Sequence, residues 1–245
     1  MIRDNIKLSD RLMMSVNMVT KGYSVADVGC DHAHTCIYLV KKGIAPRCVA
    51  MDVRKGPLSH ADANIRLYGL EGCITTRLSD GLDNLAECET DAVIISGIGG
   101  TLMVQILEKG LNKAAAAKEL ILQPQSDIGM VRRFLRENGF TIVSEAMVKE
   151  TGKFYNSMKA VPCGSKVCEK NADEEVFDEF GRLLLEGKDP VLSEFLQVMQ
   201  QKTERVLGRI KEEGSEESVE KKAFFENYGR LIEKAEFFYT VKTEK

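Results

Sequence analysis

Residues Ser24 to His34 read SVADVGCDHAH. The stretch begins as a buried strand, with Val25, Ala26 and Val28, and breaks at Gly29. Asp31, His32 and His34 follow before an apolar helical pattern resumes at Ile37. A strand that ends in a tight glycine turn and feeds a helix is the first βα unit of a doubly wound α/β domain, and ligands of such domains sit at the carboxyl ends of the strands. A turn that cradles phosphate carries several glycines and no adjacent negative charge. This one has a single glycine between Asp27 and Asp31, which suits a cationic or polyhydroxylated ligand better than a pyrophosphate.

The rest of the first 162 residues repeats the βα theme. A helix is expected over 7–19, capped by Ser9 or Asp10, with Arg11 off its apolar stripe as a surface charge or, alternatively, a ligand or RNA contact. The helix after the first turn spans about 32–42, and a second buried strand, RCVAMDV, ends in Asp52. An acidic residue about 20 positions past the first turn is where a nucleoside ribose is gripped by its hydroxyls. A helix from Gly56 to Tyr68 carries His60, read as a surface residue, and a short strand at 74–77 leads into Ser79-Asp80-Gly81. There an aspartate can accept from a purine amine while glycine lets backbone approach the ring.

The fourth strand, DAVIIS over 91–96, is almost uniformly apolar and therefore central. It ends in Gly97-Ile98-Gly99-Gly100, where missing side chains permit close approach of a flat ligand. A fifth strand over 119–122 ends in Gln123-Pro124-Gln125, two amides able to bond a base edge. Ser126 or Asp127 then caps a helix through Glu137, whose Arg132, Arg133 and Arg136 form a basic patch suited to phosphates or to a solvated face. Strands over 141–147 and 154–161 flank a turn and pair antiparallel.

Residues 163–245 read as a separate helical domain: a polar linker over 163–173, a helix from Glu174, a break at 187–190, and helices over about 191–211 and 219–239 joined by a turn at 212–218. Near-heptad spacing fits an antiparallel coiled-coil hairpin. Residues 1–169 carry 21 basic and 19 acidic side chains, whereas residues 170–245 carry 13 and 18. Neither balance alone argues for nucleic acid. Seven cysteines contain no C-x-x-C, which fits reduced thiols in the cytoplasm and no structural zinc. No apolar run reaches the roughly 20 residues of a membrane span.

The strand-end set, Gly29, Asp31, Asp52, Asp80 and Gly97 to Gly100, matches S-adenosylmethionine: ribose hydroxyls for Asp52, the adenine amine for Asp80, and ammonium and sulfonium near Asp31. The candidate cofactor residues are Asp27, Gly29, Asp31, His32, Asp52, Asp80, Gly81, Gly97 and Gly99. The fold expected is a class I, Rossmann-like methyltransferase sheet, since that class ends a parallel sheet with an antiparallel pair.

The runs ADVGCDHAH, GPLSHADANIRLYGL, SDGLDNL, IISGIGGTLM and ELILQPQSDIGMVRRFL together resemble the bacterial tRNA adenine-22 N1-methyltransferase family. The resemblance covers about residues 7–160, and the terminal hairpin is similar to that family's C-terminal coiled coil. It implies methyl transfer from S-adenosylmethionine to N1 of adenine 22 in tRNA, with Gln123, Pro124, Gln125, Arg132 and Arg133 toward the RNA and Asp31 as the candidate catalytic residue. Two positions depart from the family pattern: Asp52, where glutamate is frequent, and Gln125, where the run is otherwise Q-P-N. The competing readings are a methyltransferase of the same fold acting on another RNA site, a small molecule or a protein, and a non-catalytic nucleotide-binding module.

Overall fold

The computed structural model describes residues 6–163, 173–210 and 216–240. The chain separates into two compact units, residues 1–168 and 169–245. In the first unit the elements run α1 (Asp10–Val16), β1 (Val25–Val28), α2 (His34–Lys41), β2 (Cys48–Asp52), α3 (Lys55–Leu67), β3 (Ile74–Leu78) and β4 (Ala92–Ile98). They continue with α4 (Gly100–Lys109), α5 (Leu111–Ala116), β5 (Glu119–Pro124), α6 (Ile128–Glu137), β6 (Phe140–Glu150) and β7 (Lys153–Pro162).

The seven strands form one sheet in the order β3-β2-β1-β4-β5-β7-β6. The first five run parallel, and β7 pairs antiparallel with both β5 and β6. Every residue of β1, β2 and β5 is buried, as expected of strands covered on both faces. Side-chain alternation divides the core accordingly. Val25, Cys48, Ala92, Ile94 and Ile121 pack with Ile37, Leu58 and Ile65 of α2 and α3 and with Val16 of α1. Ala26, Val28, Val93, Ile95, Leu120 and Leu122 pack with Met103 and Leu107 of α4 and with Val131 and Leu135 of α6. The turn joining β6 to β7 is Thr151-Gly152, with φ of 47° and 79°, the left-handed pair whose twist matches that of the flanking strands.

Two polar knots fix α1 and the antiparallel pair to the sheet. Glu119, 2% exposed at the start of β5, accepts from Lys159 Nζ at 2.6 Å and from the backbone N–H of Thr20 at 2.8 Å. Arg132 of α6 is 4% exposed, and its Nε donates to Glu145 of β6 at 2.8 Å. The sequence reading assigned Arg132 to a phosphate-binding patch, and the structure corrects this. Arg132 stands four residues after Ile128 and three before Leu135, on the stripe that packs against the sheet, and its charge is spent inside the domain. Arg133, next in sequence, is exposed.

The second unit comprises α7 (Glu174–Phe180), α8 (Arg182–Glu186), α9 (Pro190–Ile210) and α10 (Glu216–Thr240). Gly181, with φ of 89°, splits what the periodicity presents as one helical run. Asp189 caps α9, its Oδ1 accepting from the N–H groups of Val191 and Leu192 at 2.8 and 2.9 Å. The Tyr239 hydroxyl near the end of α10 donates to the Asp189 carbonyl at 2.8 Å, so the end of α10 lies at the start of α9 and the two run antiparallel. Leu192, Leu196, Leu231, Ile232 and Ala235 are buried, whereas Phe224, expected in the seam, is 63% exposed. The turn expected at 212–218 and the linker expected at 163–173 fall largely outside the described residues. The α5 turn of helix, LNKAAA, was not anticipated.

Removing one side of a buried ion pair costs about 3–5 kcal/mol. Arg132→Ala is therefore expected to lower the unfolding free energy by about that amount in urea titrations, while Arg133→Ala leaves it within about 0.5 kcal/mol, as for an ordinary surface change. Equal stabilities would contradict the structural role assigned to Arg132.

Candidate active site

β1 lies between β2 and β4, and the chain leaves those neighbours in opposite directions, which opens a crevice at the carboxyl ends of the strands. A cleft of about 570 Å³ occupies this point. From β1 and its turn it is lined by Asp27, Gly29, Cys30, Asp31 and His32, from β2 by Asp52 and Arg54, and from the loop after β3 by Ser79, Asp80 and Gly81. Ser96, Gly97 and Gln125 line it from β4 and β5, and Arg11 and Leu12 from α1.

The turn after β1 holds three left-handed residues in five: Gly29 at φ 77°, Asp31 at 49° and Ala33 at 58°. This delays α2 to His34, two residues later than the apolar pattern suggests. The N–H groups of Gly29 and Cys30 both donate to the Met51 carbonyl, at 2.8 and 2.9 Å, and that of Ala33 donates to the Cys30 carbonyl at 2.8 Å. The Gly29 and Cys30 amides of the turn are thus engaged within the protein.

Acidity at this turn is lower than its sequence suggests. Asp27 is 4% exposed, and burial pushes its carboxyl from 3.8 up to about 7, with Asp52 adding to the rise and the Cys36 thiol, 3.6 Å away, opposing it. Asp31 projects into solvent with its side chain 64% exposed, its Oδ2 3.5 Å from His32 Nε2. His32 stacks on His60 at 5.3 Å and tilts against His34 at 5.6 Å, so the chain's three histidines meet at the mouth of the cleft. Burial and the neighbouring His32 hold the His34 imidazole below its ordinary value. Among the described residues no group of histidine, cysteine and acidic side chains could hold a metal.

Asp52 is 6% exposed at the end of β2. Its Oδ1 accepts from the Arg54 N–H at 2.9 Å and has Arg54 Nε at 3.8 Å; among the described residues Oδ2 takes no bond. Asp80 is exposed and reaches Lys109 at 3.2 Å. Gly81 has φ of 54°, and a side chain there would come within 2.9 Å of Ile106.

Three of the expected contacts are displaced. Gly97, φ 80°, faces the cleft, but Gly99 does not line it: a side chain there would meet Ser126 Oγ at 3.1 Å. At Gly100 a side chain would lie 2.4 Å from the Ser126 carbonyl, so the later glycines seat α4 against the 126–127 loop. Asp127 begins α6 without a side-chain cap and instead accepts from Ser126 and Thr101 hydroxyls at 2.8 and 3.1 Å. Gln123 is fully buried and does not line the cleft, because β5 extends to Pro124, paired with Ile98 across a bulge, and draws Gln123 into the sheet. Pro124 is buried with it, and Gln125 alone of the three reaches the cleft. Arg11, for which the sequence leaves open a surface charge and a ligand or RNA contact, lines the cleft. Helical spacing places it off the apolar stripe, and only the docking of α1 brings it to the cleft.

The strand order, with antiparallel β7 closing the parallel sheet and a buried carboxylate at the β2 tip, defines a class I methyltransferase fold. The methyltransferase-domain profile matches residues 8–158. The tRNA (adenine(22)-N(1))-methyltransferase of Bacillus subtilis is 33% identical over 157 residues, 64% of this chain and 66% of that protein, so the chain spans just under two thirds of this curated relative in sequence. The crystal structure of the B. subtilis m1A22 tRNA methyltransferase superposes with a TM-score of 0.84 at 27% identity, covering 94% of this chain and 99% of that one. A Streptococcus pneumoniae protein solved with S-adenosyl-L-methionine superposes at 0.79 with 30% identity over the same shares. The chain belongs to the methyltransferase-domain family, and within it is similar to the tRNA (adenine-22-N1)-methyltransferases.

Two outcomes follow. Asp52→Ala is expected to weaken S-adenosylhomocysteine binding by at least about 1 kcal/mol in calorimetric titration, the scale of a lost charged hydrogen bond. Unchanged affinity would remove Asp52 from the site. Because the Asp27 carboxyl is raised by folding, its contribution is full below pH 3.8 and is lost as pH climbs through about 7. Melting temperatures of wild type should therefore fall over that window relative to Asp27→Asn, and parallel pH profiles would refute the assignment.

Proposed function

We propose that this chain binds S-adenosylmethionine in the cleft at the β1–β4 switch and methylates N1 of adenine 22 in tRNA in the cytoplasm. The observation that carries the reading is Asp52: a buried carboxylate at the β2 tip that lines the cleft and is bonded through Oδ1 alone among the described residues, beside a turn whose Gly29 and Cys30 amides are already used. A carboxylate accepts from both hydroxyls of a ribose. Gly81 and Asp80 stand where the nucleoside base would lie, and Gly29, Asp31 and His32 line the amino-acid side.

When bound, the cofactor supplies an electrophilic methyl group on a sulfonium centre. Adenine N1 carries an in-plane lone pair, so attack needs no general base, and the chain's task is alignment of the reacting atoms at roughly 3–3.5 Å. Gln125 presents an amide donor and acceptor beside Gly97, the pairing that reads adenine's N6–N7 edge and leaves N1 exposed. Asp31 accepts from the N6 amine as positive charge develops on the ring. Presenting the base requires turning it out of the folded tRNA. Exposed Arg133 on α6 serves as a phosphate contact.

Incubating the protein with tRNA transcripts and cofactor, then mapping modified nucleosides by mass spectrometry, tests this. One N1-methyladenosine at position 22, absent when that base is guanine, is expected. Methylation at another position, or none on any tRNA, would contradict it.

A further inference from the structure

A base turned into the cleft leaves its sugar and flanking phosphates at the rim. Asp31, Asp52 and Asp80 line the cleft, so those phosphates need positive charge at the rim to settle there. One rim segment gathers all three histidines of the chain, His32, His34 and His60. They come from three elements: the turn after β1, the first residue of α2, and α3. His32 and His34 line the cleft and His60 does not, so the patch runs from the lip outward onto α3.

The His32 and His60 rings lie within 5° of parallel, and both His34 and His60 are exposed. Asn64, one turn after His60 on α3, donates from Nδ2 to the His32 carbonyl at 3.0 Å and ties the two elements together. Like charges this close repel, so protonating one ring opposes protonating the next. Burial and then His32 hold the His34 imidazole down, while Asp31 works against them. Asp31 also stands 3.5 Å from His32 Nε2. The residues three and four positions from His60 on α3 are Gly56, Pro57, Ala63 and Asn64, and those after His34 on α2 are Ile37 and Tyr38, none of them charged. Exposed Arg54 and Lys55 stand where α3 begins. α2 begins at His34 without a side-chain cap, and the positive end of a helix disfavours an imidazolium and favours an anion.

We infer that the three histidines form a contact for an RNA phosphate at the mouth of the cleft, one that takes up protons from solvent as it binds. The inference rests on the methyltransferase reading and names the RNA face of that site. A phosphate beside His34 and His60 offsets the repulsion between the rings and stabilises their imidazolium forms. His32, with Asp31 at its Nε2, is the inner member of the stack, and the two exposed rings meet the strand. The phosphate raises the imidazole pKa, so RNA binding gains at low pH and loses that gain as pH rises through the bound value. Lysine or arginine would hold the same phosphate without this dependence.

The test compares wild type with the double variant His34→Gln/His60→Gln. Affinity for an unmodified tRNA transcript is measured at about pH 6 and about pH 8, with ionic strength and magnesium held fixed. Wild type should bind at least about fivefold more tightly at the lower pH, the scale of exposed ion pairs, and the variant should change by less than about twofold. Calorimetry in buffers of different ionisation enthalpy should show net proton uptake by the wild-type complex that the variant lacks. S-adenosylhomocysteine affinity should follow one pH profile in both proteins. A flat wild-type response, or the same pH step in both proteins, would overturn the inference. So would a loss of tRNA affinity in the variant that is equal at the two pH values, the mark of a stacking surface for bases. A pH step in S-adenosylhomocysteine binding that the variant loses would give the patch to the cofactor and overturn it as well. Wild type that bound no tRNA at either pH would instead refute the methyltransferase reading itself.

Discussion

β1 is hydrogen-bonded along both edges, Val25 to Val28 pairing with Cys48 to Met51 on one side and with Ala92 to Ile95 on the other. With the chain departing outward from each neighbour, no crossover helix covers the tips of these three strands. The cleft-lining residues of the first unit are arranged around that gap. Gly29 turns the chain left-handed at its floor, Asp52 ends β2 on one bank, and Gly97 ends β4 on the other. The antiparallel β5–β7–β6 edge extends the sheet and, through Glu150 and Tyr155, braces the α1 wall at Arg11.

Charge at the β1 turn differs from what its sequence suggests. Asp27 and Asp31 together look forbidding to phosphate in the sequence. In the fold Asp27 is buried and its carboxyl titrates near neutrality, while Asp31 is largely in water. Hydrogen bonding also withholds two of the turn's amides from a diphosphate. The Gly29 and Cys30 amides turn back to the Met51 carbonyl, and this keeps the turn compact with a single glycine. A nucleoside with a charged amino-acid tail makes no demand on those amides.

The sheet could be read from the chain because strands buried on both faces are short apolar runs, and each functional strand end carries a break: Gly29, Asp52, Ser79-Asp80-Gly81 and Gly97. The misplacements have physical origins. The sequence places Gln123 in a loop because proline reads as the end of β5, yet Pro124 sits at the strand's last pairing, where the Gln125 N–H takes over the bond to the Ile98 carbonyl at 2.8 Å. Arg132 was readable as core from its spacing to Ile128, Val131 and Leu135, but its partner Glu145 lies on a strand 13 residues away. Gly99 and Gly100 looked like ligand contacts, and the 126–127 loop that fills their space is equally remote in sequence. Arg11 stays open in the sequence between a surface charge and a ligand or RNA contact, because helical periodicity says which face leaves the core and nothing about what that face meets.

The central claim is that Asp52 grips the ribose of a sulfonium nucleoside at the β1–β4 switch. A crystal structure of the protein grown with S-adenosylhomocysteine tests it most directly. The account predicts both ribose hydroxyls within hydrogen-bond distance of the Asp52 carboxylate and the adenine beside Gly81. A nucleoside lodged elsewhere, with Asp52 still bonded only to the Arg54 backbone, would contradict it.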